Sequence, residues 1–321
     1  VLERRRKMTD IEWVLNPDGS QGYTSNPITG CLNHVNGLCK GGSFPCYAYK
    51  LAHGRLKGRY VGNNEYAPVP SADYFDLNPY IPDDPFCPRF WEEKVNEIWK
   101  LGRSRCTKAK GIFLCDMSDL FGIGVPEKWT RAILDAVSHA KPHRFYLLTK
   151  QPQRLPEFSP FPENAWVGVT ATDAKMADDA GYYLQQIDAT VRFLSLEPLL
   201  EPMQLFFSPL VFNRLDLVII GACTGTWVDM ANLCMKHTNS LSNYAGLTLT
   251  QWGNKWTAQP RIEWVREIVE AAGKAGVKVF LKNNLRPLLI PEDCSKPNYL
   301  TEDIFWASDK AKLRQEMPNG A

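Results

Sequence analysis

The sequence predicts an α/β fold of parallel strands joined by crossover helices, and three observations carry that prediction. Six short runs rich in β-branched and aromatic residues recur along the chain. They alternate with amphipathic stretches that repeat apolar residues at helical spacing, and every run ends in polar residues. A chain of 321 residues, 44% hydrophobic and 22% charged, is long and apolar enough to bury a full-sized core.

In chain order, residues 1–10 are set apart as a disordered or upstream N-terminus, because Val1 to Lys7 is basic with no apolar segment behind it and Met8 opens a more natural beginning. Gly22 to Thr29 is a candidate seventh strand, although polar and rich in turn residues. The six clear strands are Gly111–Cys115, Arg144–Leu148, Ala165–Val169, Val191–Leu196, Asp216–Ile220 and Val277–Leu281. Pro126 opens a helix with Trp129, Ile133, Leu134 and Val137 on one face. Asp173 caps a helix carrying Met176, Ala180, Tyr183 and Ile187. Ile262, Val265, Ile268, Val269 and Ala272 form a third stripe, stopped by Gly276. The main body is expected over 11–290, with an insertion at about 227–258 and a C-terminal extension over 291–321. Trp227 to Lys255, with Trp252 and Trp256 nearby, reads as a lid or substrate-reading segment.

A formal net charge of +2 neither demands nor excludes a nucleic-acid partner. No run of eighteen apolar residues occurs, so no membrane span is expected. Nine cysteines, an odd number with no signal peptide ahead of them, favour a reducing, cytoplasmic compartment over a disulfide framework.

The polar strand ends are where function is sought. Asp116, Ser118 and Asp119 follow the first run, Thr149 and Lys150 the second, and Thr170 and Thr172 the third. Ser195 and Glu197 close the fourth, Gly221 follows the fifth, and Lys282, Asn283 and Asn284 follow the last. In parallel α/β barrels that rim carries the active site, because its loops vary without disturbing the packed layers beneath. A strand must end in something polar, so the bland reading competes with the functional one at each position.

Three cysteines, Cys31, Cys39 and Cys46, fall within sixteen residues on a loop containing Gly and Pro. Three thiolates hold a metal cluster and leave one position open for chemistry. With His34 they alternatively close a Cys3His zinc site. Cys87, Cys106, Cys115, Cys223, Cys234 and Cys294 show no paired spacing and read as core or surface thiols, with Cys115 and Cys223 at strand ends as candidate hydrogen donors.

Taken together, Ile11-Glu12-Trp13, Asn26-Pro27-Ile28-Thr29-Gly30-Cys31, Cys46-Tyr47-Ala48, Met117-Ser118-Asp119-Leu120-Phe121, Leu147-Leu148-Thr149-Lys150 and Phe193-Leu194-Ser195-Leu196-Glu197-Pro198 resemble the phage-associated, radical-SAM-like proteins with a three-cysteine motif. The resemblance covers most of residues 11–285. It implies an incomplete (β/α) TIM-like barrel of the radical SAM type, with about six to seven parallel strands. It also implies a four-iron, four-sulfur cluster on Cys31, Cys39 and Cys46, whose open iron binds S-adenosylmethionine. Reductive cleavage then yields a 5′-deoxyadenosyl radical that takes hydrogen from a substrate. An electron donor such as a flavodoxin or ferredoxin is implied as partner.

For the cofactor, the resemblance directs attention to the strand ends. Glu197 or Asp119 would accept from the ribose, Ser118 and Ser195 would bond the methionine carboxylate or ribose, and Lys150 or Lys282 would pair with that carboxylate, with Asp116, Thr170 and Gly221 on the same rim. A Lys150–Glu197 salt bridge across the interior is the rival reading of that pair. The chain departs from the usual Cys-x3-Cys-x2-Cys pattern, with spacings of seven and six, so Lys40 to Pro45 is expected to bulge outward on its two glycines. Pro45 replaces the aromatic residue that normally touches adenine, leaving Phe44 or Tyr47 for that role. Arg55, Lys57, Arg59 and Tyr60 suit phosphate contact and base stacking, in keeping with a nucleotide or nucleic-acid substrate. A photoproduct-lyase-like DNA repair enzyme and a zinc-stabilised nucleic-acid-binding protein are the alternatives.

Overall fold

In the computed structural model, residues 8–67, 83–104, 108–203, 214–238, 246–289, 303–306 and 312–318 are described. Residues 1–7, Cys106 and Cys294, which figured in the expectations above, lie outside them.

Strand β1 (Tyr23–Ser25) leads into a cysteine-bearing segment made of β2 (Ile28–Thr29), β3 (His34–Val35), β4 (Leu38–Cys39), α1 (Tyr47–His53), α2 (Lys57–Val61), β5 (Arg89–Phe90) and α3 (Glu92–Arg103). The repeating part follows, with β6 (Gly111–Leu114), α4 (Glu127–His139), β7 (Arg144–Thr149), a 3-10 helix (Pro152–Phe158), β8 (Ala165–Thr170), α5 (Ala174–Leu184), β9 (Val191–Leu196) and β10 (Leu217–Ile220). Then come β11 (Cys223–Gly225), α6 (Trp227–Thr238), β12 (Thr248–Trp252), β13 (Lys255–Gln259), α7 (Ile262–Ala275), β14 (Lys278–Leu281) and the short α8 (Arg286–Leu289).

Seven strands form one parallel sheet in the order β1-β6-β7-β8-β9-β10-β14. All six expected strands are in it, and the candidate seventh is β1. Helix signals hold as well: Asp173 accepts from the Met176 amide at 2.8 Å, and Gly276 ends α7 in the left-handed conformation, φ 74°.

Period-two alternation divides the sheet's two faces. Leu114, Leu147, Val167, Leu194, Val218 and Val279 pack under the helices. Phe113, Tyr146, Trp166, Phe193, Ile219 and Phe280 line the opposite face. That face is concave, because Trp13 touches Phe113 of β6 and Phe193 of β9 together, with ring centroids 5.1 and 5.7 Å away. The sheet curls without closing; β1 and β14 are its edges.

Chain ends cover those edges. Residues 9–22 fold against β1, with Gly22 N–H donating to Val14 O at 2.8 Å. On the other side the Glu12 carboxylate accepts from the Asn283 amide at 2.8 Å. Residues 313–316 run antiparallel along β14, Leu281 N–H donating to Arg314 O at 2.8 Å. Part of the expected C-terminal extension therefore supplies the edge partner of β14 and blunts an otherwise open sheet edge. The expected insertion is regular structure where described: its β12 and β13 form a small antiparallel sheet with β11, which precedes it, and α6 buries Met230 and Leu233 against the body. No described helix is long and apolar enough to cross a membrane.

Candidate functional site: a thiol loop over a polar strand rim

Along the concave face, side chains change character toward the C-terminal ends of the strands. Tyr146 and Leu148 of β7 are followed just past its end by Lys150; β8 carries Trp166, Gly168 and Thr170; Phe193 and Ser195 of β9 lead to Glu197, Ile219 of β10 to Gly221, and Phe280 of β14 to Lys282, each of these last one residue past its strand. The register carries the layers around the sheet, pairing Tyr146 with Trp166, Thr170 with Ser195 and Ile219 with Phe280. The structure thus brings Lys150, Thr170, Ser195, Glu197, Gly221 and Lys282 onto one polar rim above an aromatic floor.

At its β9–β14 side, Glu197 forms an ion pair with Lys282, both side chains largely buried. The rival reading of a Lys150–Glu197 bridge is thereby corrected: the partner of Glu197 is Lys282. A Cβ added to Gly221 would lie 3.0 Å from Lys282 Cδ and 3.3 Å from Glu197 Cγ. The glycine therefore leaves open the path along which the two chains meet. Glu12 sits beside this pair. Burial pushes its carboxyl up, with a bond from Asn283 and the Lys282 charge opposing.

Ser195 and Thr170 are each 1% exposed, and Thr170 Oγ1 finds no hydrogen-bond partner among the described residues. Thr170 and Lys150 line a cavity of about 250 Å³ with Met176 and Tyr183.

Asp119 and Ser118 serve the loops. The Asp119 carboxylate accepts from Thr149 Oγ1 at 2.7 Å, Lys150 N at 2.9 Å and Phe121 N at 3.1 Å. Both carboxylates expected to serve the ribose thus carry protein partners, Asp119 from its own loop and β7 and Glu197 from Lys282. Ser118 Oγ donates to Gly30 O at 2.6 Å, which ties the β6 loop to the residue before Cys31. Asp116 accepts from Asn26 Nδ2 at 2.6 Å; burial raises its pKa and that bond opposes the shift. In the sequence Asn26 stands out only as part of the Asn26–Cys31 motif. Its Oδ1 also accepts from Met117 N at 3.0 Å, and the signal for this role was the Asn-Pro pair directly after the strand.

The three cysteines occupy one loop system above the rim. Cys31 is anchored by its amide to Phe86 O at 2.9 Å, and Cys39 exchanges bonds with Phe44 and Ser43 across a tight turn. Gly30 must be glycine here, since φ is 86° and a Cβ would stand 2.3 Å from Cys87 O. Lys40 to Pro45 does not bulge outward as expected. It folds down onto the β8 end, where Gly41 O accepts from Thr172 Oγ1 at 3.2 Å and a Cβ on Gly42 would meet that same oxygen at 2.4 Å. Both glycines work by close approach and not by detour. Phe44 packs against the helix-side core with the Lys150 ammonium 5.8 Å from its ring centroid, and Tyr47 donates its hydroxyl to Asp116 O.

Burial pushes the Cys31 thiol up to about 12, a shift increased by the Asp119 charge and by Cys39 and Cys46, and opposed by the Asn33 amide. Cys39 is raised likewise by burial, against the Lys150 charge and the Gly41 amide. The three sulfurs thus sense one another, and two of them receive backbone N–H groups, Asn33 N lying 3.3 Å from Cys31 Sγ. Amide donors to sulfur stabilise thiolates and tune iron–sulfur clusters. Three thiols are the donor type that an iron–sulfur cluster takes, each on a separate iron. Among the described residues no three His, Cys, Asp or Glu side chains are placed to share a single ion. His34 in particular sits against the rings of Tyr49 and Phe86, centroids 5.0 and 5.3 Å away. Cys87, Cys115, Cys223 and Cys234 are buried thiols, all raised by that burial.

Fold and site together define a protein built on an open, curled parallel α/β sheet with a three-thiol loop folded over the C-terminal strand ends. The chain belongs to the family described as "Protein of unknown function (DUF5131)", which matches residues 8–259. No curated protein matches it. Solved structures similar to it are of spore photoproduct lyase. One holds dinucleoside spore photoproduct (11% identity, TM-score 0.48, covering 87% of this chain and 80% of that one). Another has bound AdoMet as well (10% identity, TM-score 0.46, covering 86% and 79%).

Proposed function

We propose that this chain is a radical S-adenosylmethionine enzyme of the phage-associated kind that its motifs resemble. What supports this most is the thiol loop: Cys31, Cys39 and Cys46 lie together over a polar rim, and two of the three, Cys31 and Cys39, receive a backbone N–H at sulfur. Those three residues would hold a four-iron, four-sulfur cluster. A cluster bound there supplies one-electron reductive cleavage of S-adenosylmethionine to methionine and a 5′-deoxyadenosyl radical.

The chain's own residues have defined tasks in this reading. Lys150, whose charge favours the Cys39 thiolate, balances negative charge on the loop. Thr170 offers an unpartnered hydroxyl to a cofactor or substrate. The Glu197–Lys282 pair holds a carboxylate and an ammonium at the rim, a carboxylate for ribose hydroxyls and a cation for the methionine carboxylate. The aromatic floor, sealed by Trp13, excludes water from below. An external flavodoxin- or ferredoxin-type protein would deliver the electron.

The test is anaerobic reconstitution with iron and sulfide, reduction in the presence of S-adenosylmethionine, and chromatography for 5′-deoxyadenosine. Product that disappears in Cys46→Ala is expected. A colourless protein that binds about one zinc, or a cluster indifferent to Cys46→Ala, would overturn the proposal.

A further inference from the structure

A second cavity, of about 370 Å³, lies beside the C-terminal end of β1, between that strand and the α1–α2 corner. Its size is that of a small-ligand site and too small for a groove that tracks a duplex. Two features distinguish it from a surface dent. Arg55 and Arg59 line it, and neither forms an ion pair among the described residues, whereas Lys94 on the same wall is neutralised by Glu97 at 2.8 Å. Ser25 also lines it; only 7% exposed, its hydroxyl is buried with no hydrogen-bond partner. An orphaned buried hydroxyl costs free energy unless a ligand supplies its bond.

The walls complete the recognition chemistry. Arg59 stacks over Trp91, its guanidinium carbon 4.8 Å from the ring centroid. Trp91 is itself fixed by its indole N–H to Thr29 Oγ1 at 2.8 Å, so the guanidinium is held with its edge free. The Asp116 carboxylate lines the cavity and spends one oxygen on Asn26, leaving the other to accept from a ligand hydroxyl. Tyr47 presents a half-exposed ring.

We infer that this cavity binds a sugar phosphate of nucleotide size, with the phosphate on Arg55 and Arg59 and sugar hydroxyls on Ser25 and Asp116. Two unpaired guanidiniums provide forked, charge-assisted donors for phosphate oxygens. Asp116 beside them disfavours a second phosphate deeper in the site and selects a neutral, hydroxyl-bearing portion there, while the other lining carboxylate, Glu97, is engaged by Lys94. The assignment rests on the cavity alone. It stands whether or not the thiol loop carries a cluster, and its test involves no turnover.

The test is calorimetric titration of the full chain with AMP, adenosine, ribose 5-phosphate and a 5′-phosphorylated trinucleotide. AMP binding that weakens with added salt is expected. Arg55→Ala and Arg59→Ala should each weaken it about tenfold or more, with Arg59→Lys retaining part of the affinity. Ser25→Ala should weaken it severalfold without lowering the unfolding midpoint, since its hydroxyl has no partner to lose. Ribose 5-phosphate binding as well as AMP assigns the site to sugar phosphates at large. Tighter binding of the trinucleotide assigns it to a strand end. Adenosine binding as well as AMP, no binding by any phosphorylated ligand, or affinity unchanged in Arg55→Ala would each overturn the inference. Arg55 is exposed, so its removal keeps the test valid even where Arg59→Ala disturbs Trp91.

Discussion

The lower and upper halves of the concave face are built on the same strands, yet they do opposite work. Below, Phe113, Tyr146, Trp166, Phe193, Ile219 and Phe280 close around Trp13, which is 2% exposed. Above, two to four residues further along each strand, stand Lys150, Thr170, Ser195, Glu197, Gly221 and Lys282. The first layer buys stability by burying aromatic area; the second holds the Glu197–Lys282 charges and the unpartnered Thr170 hydroxyl, groups that packing alone does not call for. Height along a strand separates the two duties, so they should be separable by mutation.

Trp13→Ala, at the floor, gives the largest expected effect. It removes a ring in contact with three others and should cost about 3–5 kcal/mol of stability, read from urea unfolding. An unchanged midpoint would mean that the floor is not a packed layer. Gly168→Ala comes next, because a Cβ there would stand 2.3 Å from the Phe193 ring. Overpacking should cost about 1–3 kcal/mol, and Gly168→Ala combined with Phe193→Leu should recover part of it.

At the rim, Glu197→Gln leaves the Lys282 ammonium, 13% exposed, without its counter-charge. Partial solvation keeps the expected cost to about 1–2 kcal/mol, below that of a fully buried pair, while under the proposed function 5′-deoxyadenosine production should fall far more than the unfolding midpoint. A proportional loss of both would merge the two layers into one. Gly221→Ala sharpens the contrast with Gly168→Ala. The neighbours that a new methyl meets are flexible side-chain carbons of Lys282 and Glu197, so stability should change by less than about 1 kcal/mol while turnover drops several-fold.

The smallest effect is on pH dependence. Burial raises the Cys223 thiol to about 12 and Cys87 to about 11 from an ordinary 9.0. The folded state therefore keeps protons that the unfolded chain releases. This contribution to stability is complete below pH 9.0 and is lost as pH rises toward about 12. Urea midpoints should fall between about pH 8 and about pH 10.5, and fall less in Cys223→Ala. A midpoint independent of pH over that interval would show that neither thiol is as buried as described.

Strands and helices were legible where the signal is local. Runs such as Val191–Leu196 and Asp216–Ile220, the Asp173 cap and the Gly276 stop all act within a few residues of themselves, and each reappears in the structure within a residue or two. Rim membership followed, because alternation sends Ser195 and Glu197, or Phe280 and Lys282, to the same face. Partner choice did not follow. Lys150 and Lys282 both end strands two places from Glu197, and only the bare Gly221 between β9 and β14 separates them. Asp119 is expected from sequence as a ribose acceptor, and in the fold it is held by three donors that come from its own loop and from the end of β7.

Composition, periodicity and motif order by themselves determined the parallel α/β class, the strands and their polar ends, and the three thiols on one loop, because those depend on short-range geometry that every residue carries with it. Tertiary structure alone decided that Trp13 seals the floor, that the glycines of the widened cysteine loop dock onto Thr172, that Glu197 meets Lys282, and that Ser25, Arg55 and Arg59 share a cavity. Each of these joins residues distant in the chain, and such contacts are set by how sheet curvature and strand order bring surfaces together, which no local pattern encodes.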